Sequence, residues 1–399
     1  MGYQQGMQRN TPDLSPGTTA AADDGFGSDL YGLLAEQAQD LVFSPASVAA
    51  ALRLALCGAA GETAAELATA LHLTAGTAAS AGPEAAQDAA AAGLQSLAAL
   101  QQEVTAAGDV TFRVANTAWV QSGFPLLPAF AGRLSNAALA AFADADFATA
   151  PEAARALINR AIEEQTAGKI TGLLPPGSVS TLTRLVLANA VYLKAPWTHP
   201  FKPDATRDAP FYPAEGQQLT VPMMQGVETR DYLRRDGYQA VLLRYLGGRL
   251  AMAVVLPDGP LADLRPAIAA GGLRGLLTGA ARHKVTLSLP RFRVESSFGL
   301  VPVLQGLGVA QAFTAKADFS GITAAEPLHI GAIAHKAYID VDEHGTEAAA
   351  ATAIMFAAAA LLRPPPAVTM VVNRPFLFAI VDTATTTPLF LGQVSNPHR

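Results

Sequence analysis

The spacing of apolar and polar positions changes period several times along the chain. Ser44-Pro45 followed by Val48, Leu52, Leu54, Ala55 and Leu56 joins an N-cap, a first-turn proline and an apolar stripe. That pattern predicts a helix ended by Gly58 or Gly61. Glu62 to Leu73 predicts a second helix, and Gly76 to Ala92 a loop running into a third that ends near Gln102. Val110 to Val120 is rich in β-branched and aromatic residues and reads as a strand. Pro151 to Thr166 returns to helical spacing, closed by Gly168 and the Pro175-Pro176-Gly177 turn. Leu185 to Leu193 is a short apolar run, the mark of a strand buried on both faces. Tyr238–Tyr245, Leu250–Leu256, Val285–Leu289, Leu377–Val381 and Leu389–Val394 are also strand-like and bounded by Pro, Gly or Asp. Helices and strands alternate irregularly with no internal repeat, so the fold class is α+β. No Pro/Gly/Ser linker divides the middle of the chain. One domain from residue 27 to 399 is therefore expected, preceded by a flexible tail over residues 1–26.

Composition narrows the function more by exclusion than by indication. Of 399 residues half are hydrophobic and 15% charged, too apolar for a disordered chain. Ala makes up about a fifth, which raises helix propensity everywhere. With 27 Lys+Arg against 33 Asp+Glu, the net charge of -6 argues against a nucleic-acid partner. A single cysteine, Cys57, allows no internal disulfide and no Cys-based zinc site. No apolar run reaches the roughly 18–20 residues of a membrane span, so no membrane partner is expected. Residues 1–17 lack a signal peptide's basic start and apolar run, which leaves the location open between cytoplasmic and a mature secreted form.

Enzyme signatures are missing: no G-x-S-x-G, H-E-x-x-H, G-x-x-x-x-G-K-[ST] or complete G-x-G-x-x-G occurs. The seven histidines are scattered, so neither a metal nor a cofactor is expected and the chain reads as a non-enzyme. His335 beside Lys336 in an apolar stretch reads as a buried, hydrogen-bonded histidine. Met223-Met224 reads as core. Asp342-Glu343 reads as a solvated strand end, and Arg282, Lys284, Arg291 and Arg293 as a solvated basic edge.

One segment breaks local rules. Thr346 to Leu362 carries a single charge, Glu347, and neither Gly nor Pro; Gly345 precedes it and Arg363-Pro364-Pro365-Pro366 ends it. Propensity alone suits an Ala-rich helix. Read as a strand, Thr346, Ala348, Ala350, Thr352, Ile354, Phe356 and Ala358 share one face, small enough to enter a crowded core. Glu347 falls on the other face, where it is expected to stay in water. A segment able to be either free loop or inserted strand is a bistable element.

At this segment the sequence resembles a family. Val341 to Thr352 (VDEHGTEAAAAT) resembles the hinge of the serpins, the serine protease inhibitor superfamily. Other stretches are similar in order: Phe43–Ser47 (FSPAS), Asn116–Val120 (NTAWV), Gly168–Leu174 (GKITGLL), and Leu187–Tyr192 with Trp197. Val221–Met224, Leu289–Phe292, Ala317–Ile322, His335-Lys336, Asn373–Phe376 and Leu389–Gly392 continue the series. The resemblance covers about Gly27 to Pro397 and is read as that of a prokaryotic member.

The resemblance implies three β-sheets, eight or nine helices and an exposed reactive-centre loop over about 345–372. It implies a target serine protease as partner, trapped covalently as an acyl-enzyme when the cleaved loop inserts into the main sheet. The hinge would be Glu343, Gly345, Thr346, Glu347, Ala348, Ala349, Ala350, Ala351 and Thr352, and from Thr346 on it carries none of the inward-facing bulk or charge that spoils insertion in non-inhibitory members. The family register puts the scissile bond at Ala359-Ala360, suited to elastase-like or subtilisin-like proteases. A slightly long span to Asn373 leaves Leu361 or Leu362, and chymotrypsin-like targets, as the alternative. Ser44, Ser47, Asn189 and His335 match the family's sheet-opening cluster, with Trp197 near the top of the same sheet. Departures are Asp40 for the usual Asn, Ala161 for a usual Trp, and Ala195-Pro196 before Trp197. Residues 76–92 hold Glu84 and Asp88 but no Lys or Arg, so no heparin partner is expected; a monomer is. The alternative is a non-inhibitory, binding or chaperone-type member.

Overall fold

A computed structural model describes residues 16–74, 83–106, 108–134, 141–347 and 367–397. Among them lie the α-helices α1 (Pro16–Leu34), α2 (Pro45–Leu56), α3 (Gly61–Ala70), α4 (Pro83–Ala106), α5 (Pro128–Leu134), α6 (Pro151–Gln165), α7 (Arg265–Leu277) and α8 (Val301–Gly306). The first strands are β1 (Leu41–Phe43), β2 (Thr111–Gln121), β3 (Ala141–Ala145), β4 (Leu185–Pro196), β5 (Arg207–Phe211), β6 (Leu219–Arg235) and β7 (Tyr238–Arg244). They continue with β8 (Leu250–Pro257), β9 (Ala281–Pro290), β10 (Phe292–Gly299), β11 (Ile330–Val341), β12 (Gly345–Thr346), β13 (Ala367–Val371), β14 (Phe376–Asp382) and β15 (Pro388–Val394).

Six strands form a sheet in the order β10-β11-β12-β4-β2-β3, and β11 also pairs with β4 directly. The other nine form a continuous ladder, β1-β15-β14-β8-β7-β6-β9-β13, with β5 on β6. Two of the three expected sheets share β6. Its 17 residues pair with β5 at their start, with β9 through the middle and with β7 at their end.

Alternation explains why β4 is buried on both faces. Leu185, Leu187 and Leu193 face the main core with α2 and α4, while Val186, Ala188 and Ala190 face a second core under α6. Helix α6 lays Ala154, Ile158 and Ile162 on that side, at i, i+4 and i+8. Ala161 is only partly buried there, so the small residue leaves no deep hole.

Residues 16–26 are not part of a flexible tail, as was expected of residues 1–26. Helix α1 begins at Pro16, and Ala20, Ala22 and Phe26 are buried. Two acids hold it down. Asp23 pairs with Arg53 of α2 at 2.6 Å, and Asp24 accepts the backbone N–H of Leu273 and Arg274. Tail-like composition hid these distant partners; residues 1–15 lie outside the described residues. Asp40 also has a role: its Oδ1 accepts from the backbone of Ser395 and Asn396.

Candidate functional site

The site is the mouth of a gap in the six-stranded sheet. Strands β4 and β11 pair in parallel from Leu185 and Ile330 up to Val191 and Ala337. Beyond that point β12 lies between them. Thr346 pairs with Val341 on one side and Ala195 on the other, and Gly345 pairs with Pro196. Gly345 has φ 155°, and a Cβ there would sit 2.1 Å from the Ala195 carbonyl oxygen, so only glycine fits.

Thr346 is 1% exposed. Its hydroxyl meets that of Tyr245 at 2.6 Å, and Tyr245 stacks on Trp197 with ring centroids 4.5 Å apart. Trp197 grips the turn before Gly345: its Nε1 donates to the Asp342 carbonyl and its backbone N–H to that of His344. Asp342 Oδ1 in turn accepts the N–H groups of His344 and Gly345, fixing the turn's shape.

Asp342-Glu343 is not a solvated strand end. Glu343 is 2% exposed, and Arg291 reaches it with Nε at 2.9 Å from both oxygens and Nη2 at 2.7 Å from Oε1. The Thr206 hydroxyl donates to the same carboxylate. Burial pushes this carboxyl up, but the bonds from Arg291 and Thr206 outweigh it and hold the pKa below the usual range. Arg291 thus leaves the basic edge for a structural pair, while Arg293 lies over the Tyr338 ring.

Glu347 does not stay in water either. Its side chain is 6% exposed and pairs with Lys169 at 3.1 Å, from the turn after α6. That turn covers the face which alternation alone assigns to solvent. Burial, with Glu347 beside it, pushes the Tyr192 phenol up to about 12.

Lower in the sheet the four matched polar residues come together. His335 and Asn189 face each other across the β11–β4 pair, and Nδ1 of His335 hydrogen-bonds the Asn189 side-chain oxygen. His335 Nε2 accepts the backbone N–H of Ser44 at 3.0 Å. Asn189 Nδ2 donates to the Ser47 carbonyl and hydroxyl. Burial pushes His335 down to about 3, so it is neutral and its Nδ1 carries the proton. Asn116 joins this cluster through the Asn189 amide and the Ser47 hydroxyl. It escaped sequence reasoning, although an Asn inside an apolar strand, in register with Asn189, was the available signal.

Tyr245, Thr206 and Lys169 were also missed, since nothing local marks them. Ala348, Ala349, Ala350, Ala351 and Thr352 of the expected hinge lie outside the described residues, as do Ala359, Ala360, Leu361 and Leu362. Among the described residues no group of three His, Cys, Asp or Glu is placed to hold a metal, and no helix is long and apolar enough to cross a membrane.

A gapped sheet with a glycine-led segment in its mouth describes a protein class, and comparison with known proteins agrees. The family model "Serpin (serine protease inhibitor)" matches residues 21–397. An uncharacterised serpin-like protein of Thermococcus kodakarensis is 37% identical, over 93% of this chain and 84% of that one. The leukocyte elastase inhibitor of Bos taurus is 35% identical over 95% and 99%. Among solved structures, Serpin48 of Tenebrio molitor superposes with a TM-score of 0.79 at 29% identity, covering 96% and 99%. The chain belongs to the serpin family, whose members include protease inhibitors and whose general mechanism is loop insertion.

Proposed function

We propose that this chain is a suicide-substrate inhibitor of serine proteases, with elastase-like or subtilisin-like targets. The observation that carries the reading is Thr346, which occupies a ladder position between Val341 and Ala195 and leads into a segment free of Gly and Pro. Cleavage after Ala359 proceeds by attack of the protease serine oxygen on the Ala359 carbonyl. The bond to the Ala360 nitrogen breaks, that nitrogen leaves as an amine with the proton, and an ester joins the two proteins. Residues 347–359 then continue β12 downward between β4 and β11. At about 3.3 Å per residue they carry the ester roughly 43 Å. Displacing the protease by that distance distorts its active site before water hydrolyses the ester.

Both ends of this path suit such insertion. Ala359 is small, as a shallow primary pocket requires, and one relative is named for inhibiting leukocyte elastase. Below the hinge, His335 bonds Asn189 across the β4–β11 seam and Asn189 bonds Ser47 of α2, and these bonds exchange as the strands part. Helix α4 has no Lys or Arg, which supports action without a sulfated-polysaccharide activator. Mixing the chain with elastase or subtilisin tests the proposal. An inhibitor leaves a covalent band on denaturing gels; a clipped loop with no such band supports a binding or chaperone-type member. Mass spectrometry of the released peptide distinguishes Ala359-Ala360 from cleavage at Leu361 or Leu362.

A further inference from the structure

Strand β12 ends after two residues, and Glu347 shows why. It has φ 50°, in the left-handed region, although it carries a side chain. Its backbone N–H donates to the Asp340 carbonyl at 3.0 Å, so the residue enters the ladder in register and then turns out of it. An extended residue there takes φ of about −120° to −140°. Because Thr346 pairs with Val341 and Ala195, an extended Glu347 lies between Asp340 and Lys194. Alternation along β4, whose Val186, Ala188 and Ala190 face α6, puts Lys194 on that same side.

The side chain accounts for the turn. Its carboxylate Oε1 lies 3.1 Å from Lys169 Nζ, an ion pair without an aligned hydrogen bond. Lys169 is placed by the end of α6, where the Gly168 N–H donates to the Glu163 carbonyl at 2.8 Å. Its ammonium lies 5.8 Å from the centre of the Tyr338 ring, while Glu347 sits beside Tyr192. Tyr338 of β11 and Tyr192 of β4 stand just above the last paired step of the seam, Ala337 with Val191. The ion pair therefore lies across the top of the closed seam, where the following residues have to enter. We propose, on the insertion reading above, that Lys169 and Glu347 form a bolt that slows loop insertion, with Lys169 the positioning residue that holds Glu347 left-handed. Cutting the loop frees its far end, and the ladder bonds then gained outweigh one ion pair. Glu347 becomes extended, and its carboxylate passes from Lys169 to Lys194. Charge alone holds Oε1 to Lys169, whose side chain is 46% exposed, so little is broken in the exchange.

The limiting rate at which saturating full-length chain inactivates elastase or subtilisin, read from progress curves with a chromogenic substrate, tests this. Lys169→Met and Glu347→Gln should each raise that rate about threefold or more. The double variant should be no faster than either single one, because both remove the same contact. Lys169→Arg, which keeps the charge, should return the wild-type rate. A purely structural role for the pair predicts none of these changes. If wild type traps neither protease covalently, the insertion reading fails and the bolt with it. Trapping at a rate that neither single variant changes, or that the two changes raise additively, overturns the bolt alone. If Lys169→Met does not fold, Glu347→Gln decides: an unchanged limiting rate in that variant overturns the proposal too.

Discussion

Tyr245 and Thr346 meet through their hydroxyls at 2.6 Å, with both residues out of solvent, 101 positions apart in the chain. Neither hydroxyl is replaceable by water there. Tyr245→Phe removes one and strands the other, at a cost of about 1–3 kcal/mol to the uncleaved form. Thermal unfolding of the intact variant should start below wild type, while Tyr245→Phe that unfolds identically contradicts the hinge geometry.

Thr346 fills a ladder position with no spare room. Thr346→Arg places an unpaired cation between β4 and β11, so under the proposed mechanism insertion should stall and the ester should hydrolyse. The yield of covalent complex with elastase should fall about tenfold or more, with loop cleavage continuing. A full yield from this variant contradicts the insertion route.

The Glu343–Arg291 pair is asymmetric: the acid is buried, whereas 46% of the arginine side chain is exposed. Arg291→Ala leaves a buried carboxylate and should cost about 3 kcal/mol or more. Glu343→Gln leaves a cation that water reaches and should cost about 1 kcal/mol. A carboxyl whose folded pKa is depressed stabilises fully above its unfolded value, near 4.5, and loses that contribution as pH falls through the folded value. Unfolding rates followed from pH 7 to 3 should separate wild type from Glu343→Gln down to about pH 5, then converge. Parallel profiles at all pH contradict the pair's role.

Gly93 of α4 makes room for Arg53. A Cβ on Gly93 would lie 2.6 Å from Arg53 Nε and 2.7 Å from Cζ, and Arg53 is fully buried. Gly93→Ala should cost about 1–3 kcal/mol. In an Arg53→Met background the same change should cost little, a coupling that chemical denaturation of the four proteins reads directly. Additive losses contradict the contact.

Legibility followed from whether the partner lay nearby in sequence. Strands buried on both faces, such as β4 and β8, were visible as apolar runs, and α2 announced itself through Ser44 and Pro45. Strand β6 was not, because Glu228, Arg230 and Asp231 interrupt its pattern although β9 and β7 flank it. Glu343 read as a surface acid because its partner Arg291 lies 52 residues earlier. Alternation put Glu347 on the outer face, but could not show that Lys169 waits there. The ordered motifs located the polar cluster, whose members are up to 291 residues apart, without revealing which atoms bond.

Scanning calorimetry of the intact chain and of the chain nicked in its loop by a small catalytic amount of protease tests insertion most directly. If the cut segment completes the ladder begun at Gly345 and Thr346, nicked protein unfolds at a temperature well above that of intact protein. Nicked protein that melts at the same temperature or lower means that the segment stayed outside the sheet, and contradicts inhibition by insertion.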